Sequence, residues 1–472
     1  MRTPRQTSPT WPASPCCSAV APQGPGPAAP HVPSCQEVHR PEWTRENWAA
    51  LGGEEVEDAL QSASLTLLSA KWVLKTAAEA EAVLAPRQAL PDDAFLSLSQ
   101  VQASSTNGFG YVLHIACVSH CWLQAHHPDP LGHNLRVLAK SLKLLVQDAA
   151  YGGRWAVLFD FCSMHQACRD SAGIPRHEAY SWLGVENAYE HGAVGRFESE
   201  EVMFDKALGH LGTFFSHPST IVFMLSALPS DFTDTRKYAQ TTNSKAYTSR
   251  GWCYCEASWA TLVKEQHSVL DVGKDSGSSS WLALVTECAT IRRAPALPTT
   301  FKAELEHKHF SNSQVDFERV ARLYAAGFKS RFATTTALSY QGSSWDDEDA
   351  HALSQLLTSG AAPRLHKVDL AENRISDAGA IALADAIASG AAPELTSLNL
   401  SRNAIGDDGA AALSRALCSC ARLAHLDLSH NHVGDQGAHA LMGEIRRDPA
   451  QKKRVWLTDN PISKHTKTAM GG

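Results

Sequence analysis

The chain has 472 residues, 44% of them hydrophobic, and a net charge of -7 at pH 7. Its length is sufficient for about three domains with buried cores, and its acidic balance disfavours a nucleic-acid partner. No apolar run reaches the roughly 18 residues of a membrane helix, so we predict no membrane span. Twelve cysteines without a recognisable secretory signal favour reduced thiols and a cytoplasmic location.

Residues 1–41 differ in composition from the rest of the chain. Ten of the 23 prolines lie in this segment, and no acidic residue precedes Glu37. A Pro-, Ala- and Ser-rich segment buries too little apolar surface to fold alone, so we predict a disordered arm. The acid-free start with Arg2 and Arg5 leaves an organelle-targeting peptide as an alternative.

Residues 42–100 are predicted to form a helical lead-in. Between 42 and 84 the apolar residues recur every three to five positions, as Val56, Leu60, Leu65 and Leu68 illustrate. Prolines 86 and 91 then end the helical pattern.

Residues 101–330 alternate between apolar runs and helical patterns. We predict strands at 111–118, 155–161 and 220–225 and helices at 131–146, 202–215 and 251–263. Strands that alternate with helices favour an α/β fold with a parallel, doubly wound sheet.

Residues 331–472 carry an internal repeat. Asn373, Asn403, Asn431 and Asn460 are spaced 30, 28 and 29 residues apart, and each follows a short Leu- or Val-containing strand pattern. An Ala-rich helix follows the first three, beginning near Asp377, Asp407 and Asp435. This pattern resembles leucine-rich repeats of the ribonuclease-inhibitor type, so we predict a short C-terminal solenoid. Residues 335–357 resemble a degenerate first repeat, with Ser343 in place of the asparagine.

A horseshoe of this kind presents a concave strand face on which a protein partner can bind. The residues predicted to point outward are small or polar, which suits a protein partner. They are His366, Lys367, Asp369, Thr396, Ser397, Asn399, Ala424, His425 and Asp427. The alternative is that the repeats only cap or space the preceding domain.

The sequence lacks the P-loop, H-E-x-x-H, C-x-x-C and G-x-S-x-G motifs. The His and Cys spacings fit no regular zinc module, so we predict no metal site. Polar residues instead follow two predicted strands, at the carboxyl ends where ligands bind to open parallel sheets. These are Ser119, His120 and Trp122 after the first strand and Asp160 at the end of the second.

Three short motifs within 110–265 resemble the heterokaryon-incompatibility (HET) domain, a relative of the Toll/interleukin-1 receptor (TIR) fold. The first is Ser119, Cys121 and Trp122, and the second is Asp160 with Gln166. The third comprises Arg250, Gly251, Trp252 and Glu256. Cys162 lies one residue nearer to Asp160 than is usual in that family. The resemblance implies a flavodoxin/TIR-like parallel sheet and a role in signalling or defence.

Some TIR relatives cleave NAD at the nicotinamide–ribose bond. The resemblance therefore implies that Glu256 is the catalytic carboxylate, because a carboxylate stabilises an oxocarbenium-like transition state. Ser119, His120, Trp122, Asp160 and Trp252 would then contact NAD as the substrate, and no tightly bound cofactor is implied.

The non-catalytic alternative is an interaction module that forms homo-oligomers through its α/β domain. In that case Trp252, Glu256 and Trp259 are a core stripe, with Glu256 paired to Arg250 or another cation, and Asp160 has a structural hydrogen-bonding role. The geometry of Glu256 distinguishes these hypotheses, because the enzyme needs Glu256 in a cleft beside Ser119, His120 and Trp122.

Overall fold

The computed structural model describes residues 44–105, 112–124, 127–151, 153–166, 196, 198–234, 244–310, 313–447 and 453–470. The predicted disordered arm at 1–41, and the targeting peptide that is its alternative, lie outside these residues. We call residues 44–334 the body and residues 335–470 the array.

The lead-in contains helices and two short strands. Helices α1 (Arg45–Ala50), α2 (Glu54–Gln61) and α3 (Ala70–Ala77) flank strand β1 (Leu67–Ser69), and strand β2 (Phe95–Leu96) precedes α4 (Leu98–Ser104). The predicted helical pattern over 42–84 is therefore wrong at β1. Ala63 has a φ of 53°, outside the helical region, and Leu68 pairs with both β2 and the following strand β4 (Ala156–Phe159). Pairing with distant strands outweighs the local helical periodicity.

Strand β3 (Ile115–His120) pairs in parallel with β4 on one side and with β5 (Ile221–Leu225) on the other. Strand β6 (Val269–Asp271) extends the sheet beyond β5, also in parallel. Within the described residues the order is β2-β1-β4-β3-β5-β6, with β1 antiparallel to its neighbours. The three predicted strands of this region correspond to β3, β4 and β5, although β3 begins at Ile115 and not at 111, and the short run at β6 was missed.

Helices cover both faces of the body sheet. The connecting helices are α5 (His133–Gln147), α6 (Asp160–Ser163), α7 (Glu198–Ser216) and α8 (Gly251–Ala260). After β6 follow α9 (Trp281–Cys288), α10 (Pro298–Leu305) and α11 (Ser313–Thr334). The three predicted helices correspond to α5, α7 and α8. Alternate residues of the buried strands pack into separate apolar clusters, as expected for a sheet covered on both sides.

The array alternates parallel strands with helices. Its strands are β7 (Ala337–Ser339), β8 (Lys367–Asp369), β9 (Ser397–Asn399), β10 (His425–Asp427) and β11 (Arg454–Trp456). Its helices are α12 (Asp347–Thr358), α13 (Asp377–Ala388), α14 (Asp407–Ser419), α15 (Asp435–Arg447) and α16 (Lys464–Met470). Neighbouring strands pair in parallel in chain order. The predicted degenerate first repeat contains β7 and α12.

The repeating asparagines form a hydrogen-bonded ladder inside the array. The amide of Asn403 donates to the carbonyls of Leu370 and Leu400 at 2.9 and 3.0 Å, and its oxygen accepts from the Ile375 N–H at 3.0 Å. Asn373, Asn431 and Asn460 repeat this arrangement. Each side chain thus joins its own turn to the preceding one.

Body and array share a buried interface. The Tyr340 hydroxyl donates to the Leu262 carbonyl at 2.5 Å, and the Trp345 indole donates to the Arg292 carbonyl at 2.7 Å. The Arg292 guanidinium lies 4.3 Å from the centre of the Tyr340 ring. Both parts fall within one compact unit, Pro41–Gly472, so the boundaries at 100/101 and 330/331 stay predictions. In the described residues, none of the helices combines the length and apolar character needed to cross a membrane.

Candidate functional site

A cavity of about 320 Å³ opens beyond the carboxyl ends of β3 and β4. Helices α7, α8 and α11 and the segments at Arg196 and at His309 and Phe310 supply its other walls. Its volume is at the lower end of the range for small-molecule sites. The lining residues are His120, Trp122, Gln124, Asp160, Met164, Gln166, Arg196, Phe204, Leu208, Leu211, Arg250, Trp252, Cys253, Glu256, His309, Phe310, Asp316 and Arg319.

Five of the six residues predicted from sequence line this cavity: His120, Trp122, Asp160, Trp252 and Glu256. The sixth, Ser119, is fully buried behind the wall and contacts Glu256. Ser119, His120, Trp122 and Asp160 meet because β3 and β4 are adjacent and parallel, so residues at their carboxyl ends lie at the same edge of the sheet. Trp252 and Glu256 reach the cavity from α8.

Glu256 lies one helical turn after Trp252 on α8, and only 7% of it is exposed. Its Oε2 accepts a hydrogen bond from Ser119 Oγ at 2.5 Å. Burial, reinforced by the nearby charge of Asp160, raises the pKa of Glu256 well above its usual value. A carboxyl group in this environment retains its proton at a higher pH than an exposed one, as general acids do.

No ion pair of Glu256 occurs within the described ranges. Arg250, the cation considered as its partner, directs Nη1 to the Trp122 carbonyl at 2.5 Å and Nε to the Lys245 carbonyl at 2.8 Å. The three residues of the alternative core stripe, Trp252, Glu256 and Trp259, do not share one environment. Trp259 is buried in the body core, whereas Trp252 and Glu256 reach the cavity.

Asp160 connects the two strand ends at the cavity wall. Its Oδ2 accepts from the Trp122 indole at 2.9 Å, and its Oδ1 accepts from the Phe161 N–H at 2.6 Å. His120 Nε2 lies 3.4 Å from Asp160 Oδ1, and its ring stacks on Phe159 with centroids 4.2 Å apart. Asp160 therefore fixes the Trp122 indole in addition to facing the cavity.

Charged residues from outside the family-like motifs also line the cavity. Arg196 lies over the Phe204 ring, 3.6 Å from its centroid, and pairs with Glu201. Asp316 on α11 faces Trp252 across the cavity wall, and burial raises the pKa of Asp316. Arg319 follows one turn later. No motif marks these residues, because they reach the cavity only through the packing of α7 and α11 against α8.

Tyr247 is a further neighbour of Glu256 that sequence reasoning missed. It lies in a short 3-10 turn, Tyr247–Ser249, ahead of α8, and its hydroxyl is 2.5 Å from Ser119 Oγ. The chain separation of Tyr247 and Ser119 is 128 residues, so no local pattern could link them. In the part of the chain that the structure describes, no group of three or more His, Cys, Asp or Glu side chains is arranged to hold a metal ion.

The family described as Leucine Rich repeat matches residues 363–384, 393–414 and 420–442. The C-terminal region of this protein therefore contains leucine-rich repeats, a module that mediates protein–protein interaction. None of the curated proteins matches the chain in sequence.

Among solved structures, Leiomodin-1 Actin-Binding Site 2 (ABS2) is similar to 30% of this chain over 82% of its own length. The sequence identity is 21% and the TM-score is 0.25. A likeness this weak carries no argument about function.

Proposed function

We propose that this protein binds a protein partner through its repeat array and NAD in the cavity of the body. There Glu256 promotes cleavage of the bond between nicotinamide and ribose. The observation that carries the proposal is that Glu256 borders a cavity with His120 and Trp122, lies beside Ser119, and forms no ion pair with any cation among the described residues.

The strand order supports a HET/TIR-like body. Numbered among themselves along the chain, the parallel strands β3, β4, β5 and β6 have the spatial order 2-1-3-4. That is the beginning of the flavodoxin-like order 2-1-3-4-5. The cavity lies at the carboxyl ends of the first two of these strands, which is where such sheets bind ligands.

The chemistry of the cavity suits a nicotinamide ring and its ribose. Trp122 and Trp252 offer aromatic surfaces, and a buried carboxyl group can bind ribose hydroxyls. The nicotinamide ring of NAD is positively charged, so its arrival beside Glu256 would favour the ionised carboxylate. The carboxylate would then stabilise the positive charge that develops on the ribose as the bond breaks. Nicotinamide leaves with the electron pair of the broken bond, and a water molecule forms the new bond to the ribose carbon and gives up a proton.

The outward face of the array strands is the proposed site for the protein partner. Lys367, Asp369, Ser397 and Asn399 lie on this face and are partly or fully exposed. At its far edge Trp456 is 41% exposed and stacks on His425, with ring centroids 5.7 Å apart. Large aromatic side chains of this kind are common anchors in protein interfaces.

The enzyme hypothesis is tested by incubating the purified full chain with NAD and measuring nicotinamide release by chromatography. Glu256→Gln keeps the shape of the side chain and removes its charge, so we expect release to fall by at least about 100-fold. Glu265→Gln is the matched control, because Glu265 is exposed and does not line the cavity, and it should retain full activity.

The assay is repeated over a wide range of protein concentrations, so that activity dependent on self-association is detected. Calorimetric titration with NAD is performed on the same samples. The proposal fails if the protein neither releases nicotinamide nor binds NAD at any concentration. It also fails if Glu256→Gln is as active as Glu265→Gln.

A further inference from the structure

Tyr247, Ser119 and Glu256 form a continuous chain of hydrogen bonds. The Tyr247 hydroxyl lies 2.5 Å from Ser119 Oγ, and Ser119 Oγ lies 2.5 Å from Glu256 Oε2. All three residues are buried, and the Tyr247 ring packs with Cys121, Leu123, Phe232 and Cys253. The chain thus runs from an apolar cluster to the wall of the cavity.

The direction of these hydrogen bonds follows from the number of protons. Ser119 has a single hydroxyl proton, and it donates that proton to Glu256 Oε2. The proton between Tyr247 and Ser119 must therefore come from the phenol. Burial raises the pKa of Tyr247, which keeps the phenol protonated and able to donate.

We propose that Tyr247 is a positioning residue that fixes the Ser119 hydroxyl as a donor to Glu256 Oε2. With Oε2 held in this way, a proton that Glu256 binds is placed on Oε1. The use of this arrangement in cleaving NAD rests on the proposed function, whereas the arrangement itself does not.

Without the phenol, the Ser119 hydroxyl loses the donor that orients it and can rotate away from Glu256. The ionised carboxylate then has a weaker donor, so the pKa of Glu256 should rise. Other titratable groups that face Glu256 are unchanged by this substitution. They are Cys117, Cys121, Asp160, Cys253 and Cys255.

The test is to titrate Glu256 by carboxyl carbon NMR in the full chain with labelled glutamate. The Glu256 signal is assigned by its loss in Glu256→Gln, and retained folding is checked by circular dichroism. Tyr247→Phe should raise the pKa of Glu256 by about half a unit, the equivalent of one neutral hydrogen bond. Ser119→Ala should raise it further, because it removes the direct donor.

We call the action of Tyr247 on Glu256 through Ser119 the relay. The double variant distinguishes this relay from a direct effect of the Tyr247 ring on the pKa of Glu256. If Tyr247 acts through Ser119, adding Tyr247→Phe to Ser119→Ala should leave the pKa of Glu256 where Ser119→Ala sets it. Tyr340→Phe is the matched control, because Tyr340 is equally buried and donates at 2.5 Å to the Leu262 carbonyl, and it should leave Glu256 unchanged.

The proposal is overturned if Tyr247→Phe shifts Glu256 no more than Tyr340→Phe does, or if the effects of the two substitutions add in the double variant. Both outcomes are independent of NAD turnover. A protein that shows the relay but neither binds nor cleaves NAD would disprove the proposed function alone.

Discussion

The array and the body achieve stability by different means. In the array one set of contacts recurs about every 29 residues, so Asn373, Asn403 and Asn431 perform the same task in successive turns. In the body each contact is unique and joins distant segments, as where Trp259 packs between Gly212 and Gly327. Recurrence makes the first arrangement visible in the sequence, whereas a single long-range contact leaves no pattern to detect.

The largest expected effect of a substitution on stability at neutral pH concerns the asparagine ladder of the array. Asn403→Ala leaves the carbonyls of Leu370 and Leu400 and the N–H of Ile375 without their side-chain partner inside the solenoid. Because unpaired buried polar groups are costly, we expect a loss of about 3 kcal/mol in the free energy of unfolding, measured by chemical denaturation.

Asn399→Ala is the matched control for the ladder. Asn399 lies four residues earlier on the outward side of β9 and is half-buried, and its Oδ1 accepts one bond from the Ser401 N–H at 3.0 Å. Its removal should cost less than about 1 kcal/mol. Equal losses for the two asparagines would contradict the special role of the ladder.

A second substitution probes the unique packing of the body. In Gly327→Ala the added methyl group would lie 2.6 Å from the Trp259 indole nitrogen, too close for an ordinary contact. We expect a loss of about 2 kcal/mol in the free energy of unfolding, because a filled core does not accommodate extra volume.

The same glycine-to-alanine change at Gly209 in α7 is expected to have the opposite effect on stability. Apart from its chain neighbours and its own helix backbone, no atom of the described residues lies within 4 Å of the methyl group it would add, so helix propensity should dominate and stabilise the protein by up to about 1 kcal/mol. If both variants change stability in the same direction, the packing argument is wrong.

The third effect is a pH dependence that originates in the body. His217 is buried, and burial together with the charges of Arg331 and Lys264 lowers its pKa from 6.5 to about 3. The unfolded chain therefore binds a proton that the folded chain does not, and stability is lost as the pH falls from 6.5 towards 3. The expected slope from this group is about 1.4 kcal/mol per pH unit.

His217→Gln should remove this slope from the pH dependence of the unfolding free energy. His267→Gln, at an exposed position, should retain it. The asparagine ladder of the array has no titratable group and contributes nothing in this range. An unchanged slope in His217→Gln would show that acid sensitivity originates elsewhere.

Much of the candidate site could be predicted because its residues follow strands that the sequence reveals. Ser119, His120, Trp122 and Asp160 follow two apolar runs, and the parallel pairing of β3 with β4 brings them together. Tyr247 and Arg319 could not be predicted in the same way. They reach the site through contacts between segments far apart in the chain, which composition and periodicity do not encode.

The sequence by itself determined the repeats, the central strands and the segments that border the cavity, because each depends on periodic or local patterns of apolar residues. Only the tertiary structure decided that residues near Leu68 form a strand, that body and array share a buried interface at Tyr340, and that Glu256 accepts a hydrogen bond from Ser119. These features depend on packing between distant segments, where the gain from pairing and burial outweighs local preference.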